Sequence, residues 1–586
     1  MINEYASSPK KTQEIITGFS GWNKKSRIRE NEFSEEKNIS SDDFPSVSPR
    51  NKRGIFNVPG NNIHSLFPKK ELCFIKDGTL YVGNTEVTGL LFPDLQVKRQ
   101  LVSLGAKLLV FPDKVYVNTE NLSDYGSLEA EFSSNGSTVT FSLCMGDGTL
   151  YSGYTVSSVA PSEPQDGDLW LCTSVTPNVL KVYSSALTMW VETAETYVKI
   201  SCPNIGSQFE KYDGINISGA AEASLNGTFA VQDKGNDYIV ITGIITNTVT
   251  QSTDLSVTRA LPDMDFVCEN GNRIWGCNSL KNEIYASKLG DPKNFNCFMG
   301  ISTDSYAVSV GTDGAFTGAV SFRGYVLFFK ENCLHKIYGS NPPFTVTSSY
   351  LRGVQKGSEQ SLKILNETLY YLSPNGVCSF DGGVPLCISE SFNKAYYKNG
   401  IAGVSGNKYY LCVTDKTGVK TLLVFDEATG VWHKEDNINI SEFAFHNFNL
   451  YFLAENNNST ELYLADGENA YGNFASVLGG FRLENDVPWV LESGLWGLGL
   501  PGNKYYSEIC LRGKGESGSS FKVYFQYDDS GTFEEVLSES FVNTKSFCIP
   551  VATPRCDTLK IKITGSGKVT LYSISRTVER GSSLNV

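Results

Sequence analysis

The sequence has no excess of positive charge. Its 50 lysines and arginines face 63 acids, leaving a net charge of −13. A nucleic-acid-binding surface of the usual kind needs a basic footprint, so that class is excluded, though a wall that DNA slides past without sticking is not. No apolar run is long enough to span a bilayer. The opening residues, Met1 to Phe19, carry no apolar stretch of the kind a secretion signal needs, and the expectation is synthesis and assembly in a cytoplasm. Histidine is scarce. His64, His335, His433 and His446 show no metal-ligand spacing with cysteine or carboxylates, and neither G-x-S-x-G nor a Walker A motif occurs. The 14 cysteines form no C-x-x-C pair. Cys73, Cys412 and Cys510 sit on alternating strand patterns, and all 14 are expected to be reduced and to act as small hydrophobes.

What is present points to strands. The 586 residues are too many for one hydrophobic core, so two to four domains are expected. Hydrophobic residues at 40%, aromatics at 12% and 54 glycines, with few helical patterns, indicate an all-β chain with many turns. The stretch from Asp263 to Phe298 organises the rest. Phe266-Val267-Cys268 leads into Glu269-Asn270-Gly271-Asn272, and Arg273 to Cys277 returns, a hairpin turn because Asn and Gly supply positive φ. A third run, Glu283 to Lys288, ends at Gly290-Asp291-Pro292.

Taken in order, residues 1–54 read as an arm. Phe19, Trp22, Ile28, Phe33, Ile39, Phe44 and Val47 are spaced apolar anchors in a charged ribbon. It is either an extended arm packing along a body or a neighbour, or an ordinary ordered strand with loops. Residues 55–125 repeat a short unit: Glu71 to Ile75 turns at Lys76-Asp77-Gly78 into Thr79 to Val82, and Lys107 to Phe111 turns at Pro112-Asp113 into Lys114 to Val117. A repeat of this length suggests propeller blades. Residues 126–262 break the rhythm and read as an inserted all-β domain on a loop. Within it, Asp166 to Leu171, Leu180 to Tyr183 and Met189-Trp190-Val191 are similar to a small β module of phage tail and fibre proteins. Blades resume over 263–486, giving six or seven in all. Residues 487–586 carry longer alternating strands, such as Phe521 to Tyr527 and Leu559 to Ile563, and read as a β-sandwich.

No motif supports chemistry. Gly497 to Gly502 matches G-x-G-x-x-G, but Pro501 lies inside it and strand-like residues follow, so it reads as a loop, not a dinucleotide site. Asp528 to Phe533 partly resembles the Asp-box turn of sialidases, out of frame, and reads as a solvated turn. No catalytic, cofactor-binding or metal-binding residue is assigned, and no cofactor is expected.

Three stretches together resemble a virion protein of tailed bacteriophages. The first runs from Glu32-Phe33 to Ser48-Pro49-Arg50. The second is Asn272 to Gly276 with Ile284 to Ser287 and Leu289 to Pro292. The third is Phe328 to Glu331 with His335 to Gly339, then Gly376 to Gly383 with Ile388-Ser389. They are similar to the propeller proteins of short-tailed phages called tail tubular protein B, nozzle or packaged-DNA-stabilisation protein. The resemblance implies a non-enzymatic structural protein of the virion tail, a homo-hexameric ring that lines and gates the DNA exit. Its implied partners are copies of itself, portal–adaptor proteins, tail fibres and passing double-stranded DNA. A ring closed by heterologous interfaces and an acidic wall that repels phosphate agree with it. Two rivals stand beside it: a receptor- or glycan-binding tail protein, whose insert or sandwich would present an aromatic platform and which an exposed Trp cluster would favour, and a tail-associated glycosidase, which needs two carboxylates facing one sugar bond in a deep propeller pocket.

Overall fold

The computed structural model describes residues 11–58, 62–393, 395–456, 459–499, 502–551 and 555–580. The fold is all-β and built of many sheets, with only single-turn 3₁₀ helices among the described residues. Seven sheets follow chain order closely. Six have four strands, over 63–91, 100–127, 266–309, 318–349, 363–387 and 398–434. The seventh has five: Ile440–His446, Asn449–Asn456 and Ser459–Leu464, then the distant Gly54–Phe56, then Phe481–Leu483. Gly54–Phe56 pairs antiparallel on both sides, with Ser459–Leu464 and with Phe481–Leu483. Local pattern sets the hairpins. Asn270 pairs with Arg273, leaving Gly271 and Asn272 at φ 61° and 56°, the left-handed pair that a two-residue turn needs.

Residues between the second and third of these sheets form an eight-stranded sheet and a smaller four-stranded one. In the small sheet Trp190 meets both Trp170 and Tyr183 edge-on, with centroids 5.5 and 5.4 Å apart. Phe141, Ile200, Val231, Ile239 and Val257 fill the core of the larger sheet, joined by Leu171 and Leu180 of the smaller.

Two more sheets share one core. The first orders Lys11–Ile16, Val569–Arg580, Lys504–Gly515 and Asn543–Pro550. The second orders Phe33–Lys37, Pro488–Ser493, Leu559–Ser566, Ser520–Tyr527 and Glu534–Ser540. Ile509, Leu511, Val523, Phe525, Ile561 and Ile563 are all buried between them. Alternation from Leu559 to Ile563 puts every second side chain of that strand inward.

The chain divides into two compact units. One takes the described residues up to 98, 329–334 and those from 349 on. The other takes 99–328 and 335–348. In the first unit the anchors of the N-terminal arm are core residues of their own chain. Phe19, Phe33, Ile39 and Val47 join the two-sheet core, and Trp22 packs on Phe392 beside Trp432. Attachment to a neighbouring subunit through this arm is therefore corrected, because the anchors are already spent; only Phe44 stands well exposed.

The expectation of 14 reduced thiols also fails. Cys510 and Cys548 stand opposite in register on adjacent antiparallel strands and are joined as a disulfide. A directly opposed cross-strand pair brings two sulfurs within bonding reach, and register across 38 residues is invisible in cysteine spacing. The other twelve cysteines form no disulfide, and ten of them are buried. Thiol titration of denatured, unreduced protein is thus expected to find 12 thiols, and 14 after reduction. Fourteen before reduction would refute the pair.

Candidate functional site

A polar cleft of ≈ 440 Å³ opens in the first unit. Three pieces build it. The arm contributes Ile39 to Asp42 with Arg50 and Asn51, the sheet over 398–434 contributes Lys408, Asp426 and His433, and the sheet that begins with Ile440–His446 contributes Asn449 with the turn residue Phe448, and Asp466 and Asn469 just past Ser459–Leu464.

Its acids are held by neighbours. Asp42 Oδ1 accepts from Lys408 Nζ at 2.5 Å, and its Oδ2 accepts from Ser40 Oγ at 2.7 Å. Burial works against the Asp42 charge, yet Lys408 and Ser40 hold the carboxyl below its ordinary range. Asp426 accepts from Ser41 Oγ at 2.5 Å and from the Ala428 N–H at 3.0 Å. Asp466 accepts from the side-chain amides of Asn51 and Asn469, both at 2.9 Å, and from the Asn469 N–H at 3.0 Å. Glu435 accepts from Arg53 at 2.6 Å, with Arg50 Nε 3.4 Å away. Arg50 and Glu435 also line a second cavity of ≈ 750 Å³. The acid that burial pushes upward, Glu442, is not part of the cleft lining; the N–H groups of Ser65 and Leu66 donate to it.

The rim is aromatic. His446 pairs with Asn449, so Asn447 and Phe448 make a two-residue turn, at φ 45° and 61°. Glycine is the usual residue for the second of these positions, and a bulky residue there costs about 1–3 kcal/mol. Phe448 is nonetheless 77% exposed, and Tyr471, 61% exposed, lies edge-on to it with ring centroids 5.4 Å apart. Asn449 fixes the Tyr471 backbone, donating to its carbonyl at 2.7 Å and accepting from its N–H at 3.0 Å.

The four histidines lie on four separate strands. His335 is buried between Thr312 and Ser348, and His446 is buried on Ile440–His446, where desolvation pushes its pKa down. His64 lies on Ile63–Pro68. His433 alone of the four lines the cleft. Of the glycine motif, residues 500 and 501 lie outside the described residues; Gly497 sits at φ 93°, pressed against Tyr506 and Asp557, and the next element is the strand Lys504–Gly515. Asp528 and Asp529 form the turn between Ser520–Tyr527 and Glu534–Ser540, and Asp528 accepts from the N–H groups of Asp557 and Thr558. Glu508, Cys510 and Cys548 bring three possible metal-ligand atoms within 4.8 Å of one another, but the two sulfurs are bonded to each other and offer no thiolate. Sequence reasoning missed Phe448 although a signal was there: an Asn-aromatic pair between two strand runs, where Asn-Gly is the norm.

No family model matches the chain, and no curated protein matches it. Solved structures do. An exo-β-1,3-galactanase from Phanerochaete chrysosporium is 9% identical at a TM-score of 0.21, over 53% of this chain and 94% of its own. AztD from Citrobacter koseri is 10% identical at 0.24, over 68% and 84%. A puromycin hydrolase is 10% identical at 0.21, over 61% and 58%. At these scores no activity passes to this chain. The tail-nozzle expectation is corrected: the structures found similar are glycoside hydrolases, another hydrolase and AztD, with no phage tail protein among them. The hexameric ring, the portal–adaptor and tail-fibre partners, the DNA conduit and the assignment as a non-enzyme are withdrawn with it.

Proposed function

We propose that the chain is a glycan-binding all-β protein and that the cleft of its first unit holds the saccharide. One observation carries this reading: the exposed Phe448–Tyr471 pair, kept in a turn that disfavours it, at the edge of a cleft lined by amides, acids and Lys408. Sugars present apolar C–H faces and polar edges, so an exposed aromatic ring beside fixed hydrogen-bonding groups suits them. We further propose that the seven sheets are blades of one β-propeller, that residues 126–262 are its inserted domain and that residues 487–586, with the arm 1–54, form a β-sandwich. Gly54–Phe56 supports this, because it joins a strand from before the first of the seven sheets to the last.

Hydrolysis of the bound glycan is the second reading, favoured by Asp42, Asp426, Glu435 and Asp466 sharing one cleft. It requires one carboxylic acid kept protonated opposite one that is ionised. A glycan array probed with the full chain, followed by a reducing-end assay on each glycan retained, tests both. Retention of at least one glycan is the expected outcome, whether or not new reducing ends follow. Release of new reducing ends favours the second reading, and no retention on any glycan defeats both.

A further inference from the structure

Behind the cleft lies a buried pair that the binding surface described so far does not use. Glu36, fully buried, has Oε2 3.0 Å from His433 Nδ1, within hydrogen-bond reach, and the same oxygen accepts from the Lys434 N–H at 3.3 Å. Its other oxygen, Oε1, is buried with no partner among the described residues. His433 is itself only 4% exposed, yet it is among the residues that line the cleft.

Both members are fixed by backbone pairing. Glu36 lies on Phe33–Lys37, opposite Leu491, and His433 lies on Val431–Lys434, opposite Val424. Gly21 closes over them. At φ 72°, a Cβ on Gly21 would stand 2.1 Å from Val431 Cγ1 and 3.4 Å from His433 Cε1, so the arm approaches the ring only because residue 21 has no side chain.

We infer that His433 is a hydrogen-bond acceptor of the cleft, with Glu36 fixing the tautomer that makes it one, and that it receives a hydroxyl proton from a bound saccharide. A carboxylate oxygen that accepts from Nδ1–H leaves the neutral imidazole with its lone pair on Nε2. Nε2 has no protein partner among the described residues. The four carboxylates that could compete for a hydroxyl are already engaged: Asp42 with Lys408 and Ser40, Asp426 with Ser41, Glu435 with Arg53, Asp466 with two amides. A hydroxyl that donates to Nε2 keeps its own oxygen available to the donors of the cleft. His433 is thus a positioning and recognition residue, and Glu36 acts through it.

This inference rests on the glycan reading for its ligand, and its test separates the two. In full-length protein labelled with [15N]histidine at alkaline pH, with His433→Gln assigning the resonance, His433 is expected to show a protonated Nδ1 and an unprotonated Nε2. A proton on Nε2 overturns the inference whatever the protein binds. Xylohexaose, cellohexaose, maltohexaose and the glycan best retained on the array, each free in solution, are then titrated against wild type, His433→Gln and Glu36→Gln. Binding that shifts the Nε2 resonance and weakens about five- to tenfold in His433→Gln supports it. Unchanged affinity in His433→Gln, or binding that leaves Nε2 unmoved, overturns it. If no saccharide binds wild type, the glycan reading and the ligand half of this inference fail together, while the nitrogen resonances still decide the tautomer. Should Glu36→Gln fail to fold, His433→Asn gives the second affinity comparison.

Discussion

Replacing Phe448 with glycine is expected to weaken saccharide binding by about 10- to 100-fold while leaving stability unchanged or raising it by ~1 kcal/mol. The two effects have different origins. Asn447 and Phe448 both lie at positive φ, and glycine relieves the steric cost at the second position. Against that stand the greater freedom of glycine in the unfolded chain, worth about 0.4–1 kcal/mol, and the lost edge contact with Tyr471. The ring is largely in solvent, so little buried apolar area is lost on folding. Binding loses much more, because a stacked sugar removes the exposed ring from water. Isothermal titration with the best-retained glycan, beside thermal unfolding, checks both. Tyr471→Ala is expected to follow with a smaller loss of affinity. Full affinity in Phe448→Gly would place the saccharide elsewhere.

That residue also marks where reading the sequence stops being sufficient. The hairpins were legible one by one: Leu72–Lys76 with Thr79–Val82, and Lys107–Phe111 with Val115–Asn118, lie where alternating residues and a polar turn put them. Local pattern carries that information because each strand pairs with its chain neighbour. The arm was harder to read. Phe33–Lys37 pairs with Pro488–Ser493, more than 450 residues away, and nothing in either segment specifies the other. The same holds for the Cys510–Cys548 register and for Glu36 meeting His433. The cleft is made by this arm crossing two sheets, so its lining could not be assembled from motifs. The family resemblance rested on short local stretches as well, which is why it described strands better than function.

Removing the charge of Arg53 is expected to be the most destabilising single change in the first unit. Arg53 is almost fully buried and reaches Asp436 at 2.7 Å and Glu435 at 2.6 Å, while its own N–H donates to Glu484 at 2.7 Å. Arg50 completes the group with two parallel bonds to Glu484, at 2.9 and 3.0 Å. Desolvation alone would push Asp436 and Glu484 upward, but the arginines hold both below their ordinary range. Arg53→Met keeps an unbranched apolar stem, gives up the guanidinium that lies 5.5 Å from the Phe452 ring, and strands Glu435 and Asp436 with Arg50 alone. A broken buried pair of this kind costs about 3–5 kcal/mol. The sign of the pH effect follows. Carboxylates with depressed folded values stabilise fully above the unfolded carboxylate range, near pH 4, and lose that contribution as pH falls through the folded values. Wild type is therefore expected to weaken steeply below about pH 4, and Arg53→Met, which has less to lose, more gradually. Neutralising the stranded acids as well, in Arg53→Met with Glu435→Gln and Asp436→Asn, is expected to restore most of the stability. Urea titration followed by hydrogen exchange in the peptide carrying Val431–Lys434 reads this region directly. A triple variant no more stable than Arg53→Met would mean that the arginine acts through packing and not through charge.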